Sequence, residues 1–295
     1  MYQKLTKCPL CLSGHFHVFK TIKDHAVSEE TFTLCKCEDC KLIFTNPRPS
    51  ENDIGKYYQF DNYVSHKDKG NNLINLIYKQ VRKITLKTKI GWIKEYTPSK
   101  GSLLDYGCGT GYFLKEAKVN GWNVSGIEPN QDARAIANKF DINVFDSIEK
   151  LDDNNRYDTI TLFHVLEHIH NLNSTIENLI QKLNYNGLLF IAVPNHQSHD
   201  ANAYQENWAA WDVPRHLYHF DQVSMQNFAS IHQLEIIAQK PMLFDSYYVS
   251  LLSASYDSKN KILAPLNAFM NGWKSNATAK SDNNYSSIMF ILKKK

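Results

Sequence analysis

Four cysteines form the clearest chemical pattern in the chain. Cys8-Pro-Leu-Cys11 and Cys37-Glu-Asp-Cys40 are two C-x-x-C pairs separated by 25 residues. Each pair can clamp one side of a tetrahedral Zn²⁺, and four thiolates close the coordination shell, so such an ion would be structural rather than catalytic. Its binding energy, on the order of 10 kcal/mol, would fold a segment too small to hold itself. Cys35 lies two residues before Cys37 and is an alternative fourth ligand. The competing readings are unrelated buried cysteines, and disulfides, which need an oxidising compartment. Residues 1–10 lack the apolar stretch of a secretory signal, so the expected location is cytoplasmic and the expected use of the thiols is metal binding.

A second pattern lies in Leu103-Leu-Asp105-Tyr-Gly107-Cys108-Gly109-Thr-Gly111-Tyr112-Phe113. An apolar run enters three glycines and a helical pattern follows. Glycine lets the backbone turn tightly and lets a ligand approach the main chain, while a helix start offers unpaired N–H groups. The dinucleotide fingerprint G-x-G-x-x-G needs glycine at 112, where tyrosine stands, and no Lys-Ser/Thr follows as a P-loop requires. Gly126-Ile-Glu128-Pro129 then places an acid at the end of the next apolar run, 23 residues after Asp105. A carboxylate there can accept both hydroxyls of a ribose; the plainer reading is a solvated loop acid.

The run Asp105-x-Gly107-Cys108-Gly109-Thr-Gly111, followed by Glu128, resembles the first two motifs of class I S-adenosylmethionine (SAM)-dependent methyltransferases. Tyr157–His168 is similar to that family's fourth strand and its loop, and Leu183–Asn195 to its fifth. The stretch Trp208–Phe220 resembles a subgroup that includes ubiquinone-biosynthesis-like and sugar methyltransferases, some with an amino-terminal zinc-binding segment. The resemblance implies SAM contacts at Asp105, Gly107, Cys108, Gly109, Gly111, Glu128, Pro129, Asp146, Ser147, Phe163 and His164. In it Asp105 serves the methionine ammonium, and Asp146-Ser147 fall where the family meets adenine. It is specific for SAM and not for an acceptor.

Seven of the twelve histidines fall between 164 and 219. Six of them, His164, His168, His196, His199, His216 and His219, can line one mouth, because ligands of a doubly wound sheet bind at the carboxyl ends of its strands. Three roles compete. His164 or His216 can act as a general base on the acceptor. His164-x-x-Glu167-His168 can hold a divalent metal, as a related Glu-x-x-Glu-His pattern does in some ubiquinone-type and small-RNA-end methyltransferases, although here histidine replaces the first glutamate. Or Glu167 and His168 simply orient the loop. Trp211, Arg215 and His216 are the candidate acceptor contacts, and Trp208, Tyr218 and Asp245–Tyr248 can add to the wall.

These groups need a scaffold. Short apolar runs at Ser102–Tyr106, Asn123–Glu128, Ile142–Phe145, Tyr157–Phe163 and Gly187–Val193 alternate with helical patterns at Tyr112–Val119, Gln131–Phe140 and Thr175–Leu183. Such alternation predicts a parallel sheet covered on both faces. Two further strands are expected at Leu234–Ala238 and Ile288–Leu292, with a helical stretch and an Asn/Ser-rich loop over 271–287 between them. The expected architecture is α/β: a Rossmann-like, doubly wound, mostly parallel seven-stranded sheet with a small amino-terminal zinc-ribbon-like module. The expected division is 1–50 zinc module, 51–97 helical linker or lid, and 98–295 SAM-dependent domain. Tyr57, Tyr58, Tyr63 and His66 would close the lid and Arg82 would meet the methionine carboxylate.

The charge balance bears on partners. Residues 1–100 carry 17 basic and 10 acidic side chains, but seven of the basic ones crowd into 79–100 and the zinc segment is near neutral. A duplex binder needs a longer basic stripe. A small-molecule or sugar-like acceptor is therefore the leading expectation, with the methyl moved by in-line displacement. An RNA methyltransferase that docks through its zinc module is the alternative, and a non-catalytic SAM- or zinc-binding module stands third. The longest clean apolar run, Leu188–Val193, is far too short to span a bilayer.

Overall fold

The computed structural model describes residues 1–58, 73–256 and 264–295. In chain order the strands are β1 (Tyr2–Gln3), β2 (Phe16–Lys23), β3 (Thr31–Cys37), β4 (Ile43–Thr45), β5 (Arg48–Pro49), β6 (Ser102–Tyr106), β7 (Asn123–Ile127), β8 (Asn143–Phe145), β9 (Tyr157–Phe163), β10 (Leu183–Pro194), β11 (Tyr218–His219), β12 (Leu234–Pro241) and β13 (Ser287–Lys294). The α-helices are α1 (Leu73–Tyr96), α2 (Tyr112–Val119), α3 (Gln131–Ala137), α4 (Leu172–Lys182), α5 (His199–Tyr204), α6 (Gln222–Ile231), α7 (Asp245–Tyr256) and α8 (Ala264–Asp282).

Seven strands form one sheet in the order β12-β13-β10-β9-β6-β7-β8. The pairings from β10 through β9, β6 and β7 to β8 are parallel, and β13 runs antiparallel to both neighbours. The apolar run Leu188–Val193 explains the centre. It offers no polar face to water, and as part of β10 it is buried on both sides. Strand order reverses between β6 and β9, so their carboxyl ends open the crevice where a doubly wound sheet takes its ligand. Among the described residues no helix is long and apolar enough to cross a membrane.

The expected elements are present with shifted ends, and one differs. The Asn/Ser-rich stretch continues as helix α8 to Asp282 rather than forming a loop. Ala268, Gly272, Ser275 and Ala279 are its buried residues, a stripe of small side chains at helical spacing. A Cβ at Gly272 would lie 2.8 Å from the Tyr247 ring of α7. Close packing between two helices therefore overrides the loop-like composition. Tyr63 and His66 lie outside the described residues.

The amino-terminal segment is not a separate bead. Strands β2, β3 and β4 form a second sheet whose fourth member, β11, comes from the far side of the chain, with Tyr218 opposite Phe44 and His219 opposite Ile43. Cys8, Leu10, Cys37, Cys40, Leu42 and Phe44 belong to the same apolar core as Leu104, Leu162, Leu166 and Ile191. The joint expected near residue 50 is a joint in sequence; packing runs straight across it.

Candidate functional site

Two matching turns carry the four cysteines. The Cys8 amide donates to the Ser13 carbonyl and the Cys37 amide to the Leu42 carbonyl, and Leu12 and Lys41 both adopt left-handed backbone (φ 62° and 64°) just after the second cysteine of each pair. The result brings Cys8 Sγ within 3.5 Å of Cys40 Sγ and Cys11 Sγ within 3.5 Å of Cys37 Sγ, with all four sulfurs inside 4.8 Å. Tetrahedral Zn–S bonds of about 2.3 Å require sulfur separations of about 3.8 Å, so the donor set fits zinc. Cys35 is buried but stands outside this group.

At the end of β6 the chain turns through Gly107, Gly109 and Gly111, with φ of 76°, 53° and 77°. A Cβ at Gly107 would lie 2.5 Å from Val165 Cγ2, so sterics and dihedral both demand glycine there. Space at Gly109 is open. Its amide donates to Glu128 Oε2 at 2.9 Å, while Oε1 accepts from the Asn130 amide at 2.8 Å. Each carboxylate oxygen keeps capacity for another donor. Asp105 is buried, with Oδ1 accepting from Thr161 Oγ1 at 2.6 Å. Burial pushes its carboxyl up to about 7, against the opposing pull of Thr161 and Lys89. Asp146 Oδ2 pairs with Lys150 at 2.6 Å, whereas its Oδ1 is buried with no partner among the described residues. Cys108 is buried beneath the loop against Gly126, Pro129 is exposed, and Ser147 is half-buried in extended backbone. The Phe163 ring meets Phe113 edge-on at 5.0 Å.

One participant escaped the sequence. Lys89 of α1 is half-buried with Nζ 3.9 Å from the centroid of the Phe163 ring. Burial lowers its ammonium, and Asp245 and Asp105 oppose that. Arg82, expected at the methionine carboxylate, lies 4.0 Å over the ring of Tyr112, the first residue of α2.

The histidines divide into two sets. His164 adopts left-handed backbone (φ 59°) after β9. Its Nε2 meets Asp245 Oδ2 at 2.9 Å and its Nδ1 lies 3.5 Å from Glu167 Oε1. Burial disfavours the imidazolium, but Asp245 and Glu167 outweigh it and hold the ring at about 9. His168 Nδ1–H is shared by the Arg215 carbonyl (2.9 Å) and Tyr58 Oη (3.0 Å), and His216 Nδ1–H donates to the Ala210 carbonyl (2.9 Å). Both rings therefore present a bare Nε2. One nitrogen of each ring and a Glu167 oxygen lie within 4.8 Å of one another, with His216 Nε2 4.0 Å from Glu167 Oε1. Glu167 is 0% exposed, and among the described residues neither of its oxygens has a hydrogen-bond partner. A buried carboxylate left so is costly, and a carboxylate beside two imidazoles, each tethered through its other nitrogen to a carbonyl, is the chemistry of a divalent metal site. The fit replaces His164 of the expected trio with His216. His170, His196 and His219 do not join them. His170 Nε2–H donates to the Pro49 carbonyl, His196 stacks on Trp211, and His219 is packed against the same indole.

Two expected acceptor contacts turn inward. Arg215 is 1% exposed and is held by Asp24 (3.0 Å), by Asp212 (2.7 Å) and by the Tyr57 carbonyl. Its charge ties the β2–β3 loop to the segment before β11. Trp211 is buried among Trp208, His196 and His219, its Nε1–H spent on the Gln205 carbonyl. Of the expected lid residues, Tyr57 is buried on Tyr2 and Glu30, and Tyr58 reaches His168.

With that geometry in place, comparison with known proteins is informative. A family model described as a methyltransferase domain matches residues 79–239, just over half of the chain. A ubiquinone biosynthesis O-methyltransferase from Rickettsia canadensis (strain McKiel) is 36% identical over 104 residues, covering 33% of this chain and 44% of that protein. Its counterpart from Rickettsia conorii (strain ATCC VR-613 / Malish 7) is 35% identical over 104 residues, 33% of this chain and 36% of that one. The chain spans less than half the length of these curated relatives. Among solved structures, magnesium protoporphyrin IX methyltransferase from Synechocystis PCC 6803 with bound SAH superposes with a TM-score of 0.53 and 12% identity, over 81% of this chain and 97% of that one. At that identity the likeness speaks for the fold alone.

Proposed function

This chain belongs to the methyltransferase-domain family, and we propose that it moves a methyl group from S-adenosylmethionine to an oxygen of a small-molecule acceptor. The observation that carries the reading is the Glu128 carboxylate, held on the Gly109 amide beside a three-glycine turn at the point where strand order reverses. SAM would supply a methyl already activated on a sulfonium, with the neutral thioether as leaving group. The chain's own work is positioning. Glu128 would take the ribose hydroxyls, Asp105 the methionine ammonium, and the unpartnered Asp146 Oδ1 a donor on the adenine. Phe163 and Lys89 would close the side nearest the acceptor, holding acceptor oxygen, methyl and sulfur in line.

Glu167, His168 and His216 would hold one divalent cation, whose chemistry is to lower the pKa of an acceptor hydroxyl. The names of the curated relatives support an oxygen acceptor; a sugar hydroxyl remains within the same reading. An RNA acceptor draws no comparable support, because the basic surplus sits on α1 and the segment just after it rather than on the cysteine module.

The test is methyl transfer from labelled SAM to fractionated small metabolites and to RNA, with and without added divalent metal. The expected label is in a small-metabolite fraction and depends on metal. Label confined to RNA would replace the acceptor class, and no label with no SAM binding would remove the enzyme.

A further inference from the structure

The cysteine module has no part in the chemistry above, yet it touches it. Strand β4 begins three residues after Cys40, and the Cys37 amide fixes the turn by donating to the Leu42 carbonyl. At the other end of β4, Thr45 is 0% exposed. Its amide donates to the Leu217 carbonyl at 3.0 Å and its Oγ1 to the His216 carbonyl at 2.9 Å. The Leu217 amide in turn donates to the Glu167 carbonyl at 2.7 Å. Two hydrogen bonds thus tie the end of β4 to the His216–Leu217 backbone, and a third ties Leu217 to the Glu167 backbone. Elsewhere the same module is bolted down by Asn227 on the Cys40 carbonyl, by Asn173 on the Leu10 carbonyl, and by Arg215 on Asp24.

We propose that the zinc-clamped strand β4, through Thr45, is the positioning strut for His216 and so completes the Glu167–His168–His216 group. The module is then a fixed part of the acceptor half of the site. It is neither a mobile lid nor a detachable docking domain. The proposal rests on the metal reading of that group for one of its readouts only.

Cysteine variants can fail to fold, so the test uses Thr45→Val, which keeps the strand amide and removes the hydroxyl donor, and Thr45→Ser, which restores it. The full chain is compared for zinc content, SAM affinity by calorimetry, Mn²⁺ affinity by electron paramagnetic resonance, and the imidazole nitrogen signals of His216 by NMR. The expected result for Thr45→Val is Mn²⁺ affinity lower by about 10- to 100-fold, as for other outer partners of metal ligands. The His216 signals shift, zinc content and SAM affinity stay as in the native protein, and Thr45→Ser behaves as native. Unchanged Mn²⁺ affinity and unchanged His216 signals would overturn the strut. So would parallel loss of zinc or SAM binding, which would mean that Thr45 supports the whole fold. If the native protein binds no Mn²⁺, the metal reading fails, and the His216 signals alone decide: a shift reversed by serine upholds the strut, and no shift ends it.

Discussion

Asp105 and Thr161 face each other across neighbouring strands, with the threonine hydroxyl 2.6 Å from Asp105 Oδ1. Even with that bond, burial holds the Asp105 carboxyl at about 7. A carboxyl raised in this way keeps its proton in the folded state over a range where the unfolded chain has released it. Folding stability should therefore fall as pH rises from about 4 to about 7, and Asp105→Asn should flatten that part of the profile. The methionine ammonium of SAM favours the carboxylate, so binding below neutrality must expel the proton. SAM affinity should weaken as pH falls below 7, by up to about tenfold per unit. Calorimetry in buffers of different ionisation heat should show about one proton released near pH 6. A pH-independent affinity with no proton release would contradict the assignment.

The glycine loop separates steric demand from backbone strain. Gly107→Ala meets Val165 at 2.5 Å and a left-handed φ together, whereas Gly109→Ala meets only the φ. The first should lose SAM binding by more than about 100-fold and destabilise the fold by about 2–4 kcal/mol. The second should cost about 1–2 kcal/mol of stability. Thermal melts and SAM titration of both variants check the ranking, and equal losses would contradict it.

Arg215 offers a test of structure against substrate contact. Replacing it by alanine leaves Asp24 and Asp212 without their shared cation, one of them fully buried. Loss of one partner from such a pair costs about 3–5 kcal/mol. A large fall in urea midpoint is expected, where a substrate contact would change KM and leave the midpoint alone.

Glu167→Gln should discriminate between the two metal groups. The amide cannot replace a carboxylate ligand beside His168 and His216, so Mn²⁺ affinity and metal-dependent turnover should fall by at least about 100-fold. Zinc at the cysteines and SAM affinity should be unaffected. Intact metal-stimulated turnover in this variant would remove the cation from the reaction.

How much of this was readable in the sequence depends on the range of the interaction. Cys8, Cys11, Cys37 and Cys40 were legible because zinc fixes residue type and local spacing together. The left-handed turn at Gly107, Gly109 and Gly111 was legible because a tight turn between β6 and α2 has few solutions, and Glu128 because it stands directly after the next apolar run, β7. The long-range partners were not. Nothing in the chain order says that Asp245 of α7 meets His164, or that Lys89 lies over Phe163, since those meetings depend on how α1 and α7 pack across the mouth. The pairing of β4 with the two-residue β11 is too short to leave a pattern. The burial of Trp211 and Arg215 was not legible either, because large aromatic and cationic side chains suit a ligand wall and a buried polar core equally. The polar stretch of α8 was read as loop because Asn and Ser disfavour helix locally, while its buried small-residue stripe answers to α7.

The central claim is that the loop after β6, with Glu128, binds SAM. Its most direct test is calorimetric titration of the 295-residue chain with SAM, beside Glu128→Gln. The account expects a single site, with affinity reduced by about 10- to 100-fold in the variant, the loss expected when a charge-assisted acceptor is neutralised. No heat of binding in the native protein, or equal affinity in the variant, would contradict it.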